Sequence, residues 1–249
     1  MLKVLINGCN GKMGQEVARR IKETEEIETL CGVDKIDTGD NSFPVFQKVE
    51  DINLIPDVII DFSIPKATFA ILEFAKKNKI PTVIATTGFS DEENVLINKY
   101  SEEIPVFKSA NMSYEINLMA KLVSNIAKNM PESDIEIIET HHNRKIDSPS
   151  GTALILADSI NATLNNEMNY EYNRHSKREK RTKKEIGIHS IRGGTEVGKH
   201  SVIFFGQNES FEITHNVTSR SVFADGSIKA AKFLVNKEEG FYNMNDLFV

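Results

Sequence analysis

The stretch Val4-Leu5-Ile6-Asn7-Gly8-Cys9-Asn10-Gly11-Lys12-Met13-Gly14 decides the fold class. Val4-Leu5-Ile6 reads as a buried strand, and Gln15–Lys22 carries Val17, Ala18 and Ile21 at helical spacing. Between them Gly8, Gly11 and Gly14 form a strand-to-helix turn of the pattern GxxGxxG. Glycines there permit a tight turn and let backbone N–H groups approach a pyrophosphate, and the helix start adds partial positive charge. The spacing is not the commoner GxGxxG, so on its own the turn serves equally as a connection that binds nothing. Asp34 follows the next strand-like run, Ile27–Val33, 20 residues after Gly14. A carboxylate at that position suits the hydroxyls of an adenosine ribose, whereas the ammonium of Lys35 suits a 2′-phosphate. The two residues point to NADH and NADPH respectively, and a plain surface Asp-Lys pair is the alternative.

Outward from the turn, the pattern repeats. Val58-Ile59-Ile60, Thr82–Ala85 and Ile104–Phe107 read as strands, and Ala67–Lys77 and Asp91–Tyr100 as helices, with Pro65 placed to open the first of these. Such βα repeats predict a Rossmann-type doubly wound parallel sheet. The character changes after Asn111. Helices are expected over Ile116–Met130 and Ala153–Leu164, and strands over Asp134–Thr140, Ile186–Ile191, Ser201–Phe205 and Phe211–Val217. These runs predict a second, α+β domain with a mostly antiparallel open sheet. Ser227–Val235 closes the chain as an amphipathic helix, and the longest irregular stretch is Asn165–Glu185.

Bulk properties exclude several classes. The 249 residues, 28.0 kDa, allow one or two domains with a real core. Apolar content of 40% and charged content of 27% exclude wholesale disorder. Thirty basic against thirty-six acidic residues give a net charge of −6, a poor balance for a general nucleic-acid binder. Cys9 and Cys31 make neither a CxxC nor a zinc-type spacing, so a reduced cytoplasmic compartment and no metal are expected. The apolar N-terminus runs straight into Asn7-Gly8, unlike a signal peptide, and no run reaches the roughly 18 apolar residues of a membrane span.

The segment Glu139-Thr140-His141-His142-Asn143-Arg144-Lys145-Ile146-Asp147-Ser148-Pro149-Ser150-Gly151-Thr152-Ala153 carries the chemistry. It leaves a strand and enters a helix whose first N–H groups form a natural carboxylate site, with Lys145 nearby. Adjacent strand residues face opposite ways, so His141 and His142 are poorly placed to share a metal. An imidazole suits proton transfer near neutral pH, although either His taken singly is as readily a hydrogen-bonded structural residue.

On these motifs the sequence resembles the dihydrodipicolinate reductase (4-hydroxy-tetrahydrodipicolinate reductase) family over essentially its whole length. The matching pieces are Gly8–Gly14, Asp61-Phe62-Ser63, Thr86-Thr87-Gly88-Phe89, Ala110-Asn111-Met112-Ser113 and Glu139–Ala153. Further on come Ile191-Arg192-Gly193-Gly194, Gly198-Lys199-His200, Ile213-Thr214-His215, Ser219-Arg220 and Gly240–Met244. The resemblance implies a dinucleotide-binding domain over 1–111, completed by 220–249, and a substrate-binding and homotetramer-forming domain over 112–219. It implies reduction of a cyclic hydroxy-dicarboxylate by NADH or NADPH with loss of water, in lysine biosynthesis via diaminopimelate.

The same resemblance gives His141 and Lys145 as catalytic proton donors, and His142, Ser150, Gly151 and Thr152 as substrate contacts. It gives Gly8, Cys9, Asn10, Gly11, Lys12, Met13, Asp34, Lys35, Ala85, Thr86, Thr87, Ser109, Ala110, Asn111 and Met112 as cofactor contacts. Three positions depart from the family pattern: Ala85 and Met112 stand where Gly and Phe are usual, and Tyr114-Glu115-Ile116 replaces Gly-Val. Glu115 is expected to add negative charge and bulk near the nicotinamide. The run Arg174–Lys184 has seven basic residues, read either as a solvated loop or as a basic lid near the substrate mouth that attracts a dicarboxylate. The competing functions are a non-catalytic NAD(P)H-binding redox sensor and a reductase of another cyclic dicarboxylate.

Overall fold

The computed structural model describes residues 1–248; residue 249, the end of the segment expected to return to the first domain, lies outside the described residues. The chain forms two compact units. One is Met1–Tyr114 with the C-terminal segment that begins at Arg220, and the other is Glu115–Ser219.

In the first unit, strands β1 (Leu2–Asn7), β2 (Ile27–Val33), β3 (Val45–Phe46), β4 (Val58–Asp61), β5 (Thr82–Ile84) and β6 (Pro105–Lys108) are followed, late in the chain, by β12 (Gly240–Tyr242). They pair in parallel in the order β12-β6-β5-β4-β1-β2-β3. Val4 and Ile6 face α1 (Lys12–Lys22) and α6 (Ser221–Leu234), packing with Val17, Ile21, Ala224 and Ile228. Leu5 and Ile59 face the other way, toward Ile71 and Leu72 of α2 (Pro65–Asn78) and Ile97 of α3 (Asp91–Ser101). A sheet covered on both faces needs unbroken apolar strands, hence Val58-Ile59-Ile60. This is the doubly wound sheet that the sequence predicts. Pro65 sits in the first turn of α2. Ser90 and Glu93 form a capping box at α3, with N–H to oxygen distances of 3.2 and 2.8 Å.

The boundaries differ in places. Helix α1 begins at Lys12, inside the glycine turn, and α6 begins at Ser221 rather than Ser227. Strands β3 and β12 are too short for a hydrophobic period to register.

In the second unit, α4 (Tyr114–Asn129) and α5 (Gly151–Thr163) cover one face of a sheet ordered β11-β10-β7-β9-β8. Its strands are β7 (Asp134–His141), β8 (Asn169–Glu171), β9 (Glu185–Arg192), β10 (Gly198–Phe205) and β11 (Ser210–Val217). Strand β10 is antiparallel to both neighbours along their whole lengths, whereas β9 is parallel to β7 and β8. That parallel pairing follows from the long crossover through α5. Strand β8 lies within the stretch read as irregular.

Along β7 every second residue is buried: Ile135, Ile137, Glu139 and His141. Ile135 and Ile137 pack with Leu156 and Ile160 of α5 and with Val202 and Phe204 of β10. Beyond the start of α5 the same row turns polar. The change of chemistry along one buried face places the polar cluster of this unit.

Candidate functional site

The glycine turn is closed by contacts that only glycine permits. Gly8 has φ +80°, and a Cβ there would lie 2.6 Å from the Phe62 carbonyl oxygen. A Cβ on Gly14 would lie 2.1 Å from the Gly8 oxygen. The N–H groups of Gly8 and Cys9 donate to the Val33 carbonyl at 2.8 and 3.3 Å, and that of Gly11 to the Gly8 carbonyl at 3.1 Å. The Asn10 N–H donates to one oxygen of Asp34 at 2.8 Å, and the Lys35 N–H to the other at 2.8 Å. Asp34 is thus fixed against the turn. The Cys9 side chain is buried in the core, where burial and the charge of Asp34 push its thiol up to about 12. Its thiol is chemically quiet, and only its backbone belongs to the turn.

Two cavities adjoin this turn and share Gly11, Phe62 and Ser63. The first, about 450 Å³, is lined by Gly8, Asp34, Lys35, Ile64 and Ala67 among others. The second, about 560 Å³, gathers Lys12, Met13, Ala85, Thr86, Thr87, Ala110, Asn111 and Met112 from three separate segments. Lys12 and Met13 open α1, where the first N–H groups have no partner within the helix. Ser109 lines neither cavity; its hydroxyl donates to the Asn111 carbonyl at 2.8 Å and braces that loop. Gly226 of α6 does the same from below, since a Cβ there would meet the Met112 carbonyl oxygen at 1.7 Å. No motif in the sequence marks Gly226.

In the second unit a buried carboxylate organises the polar end of the sheet. Glu139 is fully buried. Its oxygens accept two hydrogen bonds from the Arg192 guanidinium at 2.8 and 2.7 Å and one from the Ser150 N–H at 3.1 Å, and contact His141 Nδ1 at 2.6 Å. Burial pushes its carboxyl up, but hydrogen bonds from Arg192, Ser190 and His141 win and hold it at about 2. An ionised Glu139 only accepts, so the Nδ1 of His141 carries a proton and Nε2 is the atom left for chemistry. A Cβ on Gly198 would come within 3.1 Å of that Nε2, so glycine keeps the space beside it clear.

Ser150 caps α5, its hydroxyl accepting the Ala153 N–H at 3.1 Å and meeting His200 Nε2 at 2.9 Å. Gly151 opens α5 onto free space, and Thr152 follows it. The ring of His200 stands edge-on to His141 with centroids 5.1 Å apart. Lys145 donates to both oxygens of Asp147 at 2.8 and 2.7 Å, which holds the Asp147 carboxyl below its usual range. His142 follows β7; its N–H donates to the Glu196 carbonyl at 2.7 Å and its Nδ1 is buried without a partner. Glu139, Arg192 and His200 are the organising residues: they stand inside the quoted motifs, but the motifs gave them no role. The signal was present in the period of two that puts Glu139 in phase with Ile135 and Ile137.

Glu115 lies in the first turn of α4, where negative charge favours the helix start. Burial pulls His215 down, and the charge of Glu115 partly offsets that pull. Of the two readings of the basic run Arg174–Lys184, its placement within this unit favours the solvated loop over the lid. The run joins β9 at Glu185, beside the start of β7, whereas His141 ends β7. Five of its seven cations are paired locally: Arg174 with Glu185, Lys177 with Glu171, Arg181 with Asp134 and Glu136, Lys183 with Asp134 and Lys184 with Glu167. Among the described residues no group of three or more His, Cys, Asp or Glu side chains is placed to hold a metal ion, and no helix is long and apolar enough to cross a membrane.

The dihydrodipicolinate reductase N-terminus model matches residues 2–112 and the C-terminus model residues 115–248. The chain belongs to the dihydrodipicolinate reductase family. It is 50% identical over 247 residues to the 4-hydroxy-tetrahydrodipicolinate reductase of Caldanaerobacter subterraneus, covering 99% of this chain and 98% of that one. It is 51% identical over 246 residues to the enzyme of the same name from Brachyspira hyodysenteriae, covering 99% of both. Among solved structures, the dipicolinate-bound dihydrodipicolinate reductase from Paenisporosarcina sp. TG-14 is similar over 98% of this chain and 99% of that one, with TM-score 0.83 and 28% identity. Resemblance to a probable dehydrogenase from Thermotoga maritima, 10% identical with TM-score 0.63, shows the shared fold alone.

One property of this reductase-family site is measurable without substrate. Burial, with His141 adding, pulls His200 down from 6.5 to about 4. The folded chain therefore binds fewer protons than the unfolded chain between those values. The stability this contributes is complete above pH 6.5 and is lost as the pH falls toward 4. The full loss is about 3 kcal/mol. Urea midpoints taken from pH 7.5 down to 4.5 are expected to fall in the native protein and to fall less in His200→Asn.

Proposed function

We propose that this chain reduces 4-hydroxy-tetrahydrodipicolinate to tetrahydrodipicolinate with loss of water, using NAD(P)H, in the diaminopimelate route to lysine. The observation that carries the reading is Glu139 holding His141 Nδ1 while fixing the start of α5 through Ser150. One buried carboxylate thus orients a proton donor and an anion-binding helix end together. The ordering of a cyclic dicarboxylate falls to Gly151 and Thr152 at that helix end, with Lys145 and His142 beside it.

The glycine turn and its two cavities fit a dinucleotide, because Gly8 and Gly11 bring bare backbone to the cavity walls and Lys12 and Met13 open α1 there. When bound, the reduced nicotinamide supplies the hydride. In this chain Lys12 and Met13 would hold the pyrophosphate by their N–H groups. Gly8, Asn10, Gly11, Asp34, Lys35, Ala85, Thr86, Thr87, Ala110, Asn111 and Met112 would supply the remaining contacts, with Cys9 and Ser109 as braces. Hydride addition leaves negative charge on the conjugated ring. His141, through Nε2, and Lys145, through Nζ, are the acids that deliver the proton; such help is typically worth about 10²–10⁴-fold.

Asp34, pinned by two N–H groups, favours the ribose hydroxyls of NADH, while exposed Lys35 accommodates NADPH. Asp34→Ala is expected to shift the kcat/KM ratio toward NADPH by about tenfold or more. An unchanged ratio removes Asp34 from cofactor choice.

The sheet face opposite the helices exposes Ile191 at 50% and Phe205 at 40%, and is assigned to self-association as a homotetramer in the cytoplasm. The test of function is a coupled assay. The preceding synthase makes the substrate from pyruvate and aspartate semialdehyde, and absorbance follows loss of NADH or NADPH. Turnover dependent on the synthase product is expected. Its absence in folded, NADH-binding protein would move the reading to a sensor or another substrate.

A further inference from the structure

A second buried carboxylate, used by no step above, lies at the end of β4. Asp61 is 0% exposed. Its Oδ1 accepts from Asn7 Nδ2 at 2.8 Å, Ser63 Oγ at 2.5 Å and the Ser63 N–H at 3.2 Å. Its Oδ2 accepts from Thr68 Oγ1 at 2.6 Å and Thr86 Oγ1 at 2.9 Å. The donors come from four places in the chain. Asn7 ends β1 and leads into the glycine turn, Ser63 follows β4, Thr68 lies in the first turns of α2, and Thr86 follows β5.

These segments build both cavities. Asn7 and Ser63 line the first, and Ser63 and Thr86 line the second. The Ser63 N–H also donates to Thr86 Oγ1 at 2.9 Å, so the two loops are tied directly as well as through the carboxylate. The Thr86 hydroxyl is therefore committed inward. A carboxylate that satisfies five donors at once has one arrangement in which all are paired, and losing it frees every loop it holds.

We propose that Asp61 is the positioning residue of the dinucleotide site, setting the β1, β4 and β5 loops so that the two cavities are held in one geometry. The proposal rests on the reading that these cavities take NAD(P)H. It assigns Asp61 no contact with cofactor or substrate. Its effect runs through Asn7, Ser63 and Thr86.

The test uses the full chain and NADH fluorescence titration, with kcat and substrate KM measured alongside. Asp61→Asn keeps the shape but turns an acceptor into a donor facing hydroxyls. Its NADH Kd is expected to rise about tenfold or more, with kcat at saturating NADH within about twofold of the native value. Thr68→Val removes one donor whose side chain lines neither cavity, and is expected to raise the NADH Kd about threefold. It keeps the proposal testable if Asp61→Asn does not fold.

A folded fraction with unchanged NADH Kd in both variants, whatever their melting temperatures, overturns the proposal and leaves Asp61 a stabilising residue only. Native protein that binds no NADH overturns the reading of the cavities themselves. The two failures are therefore distinguishable, because one appears in the native chain and the other only in the variants.

Discussion

Gln in place of Glu139 lowers kcat of the proposed reduction by about 10²- to 10³-fold. Its effect on NADH affinity stays within about twofold, because Glu139 lines neither cavity of the first unit. Every neighbour of the Glu139 carboxylate donates: Arg192 twice, the Ser150 N–H once and His141 through Nδ1. Gln offers one oxygen and turns its amide toward a donor. A buried donor left unpaired costs about 1–3 kcal/mol, and the least anchored neighbour gives way first. Arg192 is tied elsewhere by the Asp147 and Ile191 carbonyls, and Ser150 by its cap. The imidazole therefore moves or changes tautomer, and Nε2 is no longer held for proton transfer. Steady-state kcat with NADH titration on the same preparation reads both terms. A variant with near-native turnover would remove the Glu139–His141 pair from the chemistry.

Ala in place of Gly14 abolishes measurable NADH binding and costs about 1–3 kcal/mol or more of stability. The new Cβ would sit 2.1 Å from the Gly8 oxygen and 2.7 Å from the Cys9 Cα. Both are backbone atoms, so no side chain can swing aside. Gly8 has nowhere to retreat, because it is already pressed against the Phe62 carbonyl in a left-handed conformation. The turn must open, and with it the start of α1. Gly11 is the internal control. A Cβ there meets only the Gly8 oxygen, at 3.2 Å, and the same substitution is expected to be much milder. NADH titration and urea unfolding of the two variants give the comparison. Native affinity in Gly14→Ala would detach the turn from the cofactor.

The doubly wound sheet was legible because its strands are covered on both faces. Unbroken runs such as Val58-Ile59-Ile60, and Ala67–Lys77 between strands, fit no other arrangement well. The start of α5 was legible because proline, serine, glycine and threonine cluster there. What escaped was how residues distant in sequence meet. Glu139, Arg192 and His200 meet only through strand register, with Arg192 paired to His141 and His200 to Glu139. The parallel partnership of β7 and β9 was hidden by the crossover between them. The ion pairing of the basic run was not legible because its carboxylate partners, Asp134 and Glu136 among them, are distant in sequence and adjacent only across β7 and β9.

The segment that begins at Arg220 has a consequence for how the protein is made. Helix α6 buries Ala224, Ile228 and Leu234 against the face of Val4 and Ile6, and β12 pairs with β6. Synthesis proceeds at about 5–20 residues per second. The ribosome must therefore finish the whole second unit before the first receives the helix that shields it. Order of translation and order of completion are reversed: the unit begun first is sealed last. For some seconds a nascent sheet waits with one apolar side only partly covered by α1, and that interval is when a chaperone has most to do.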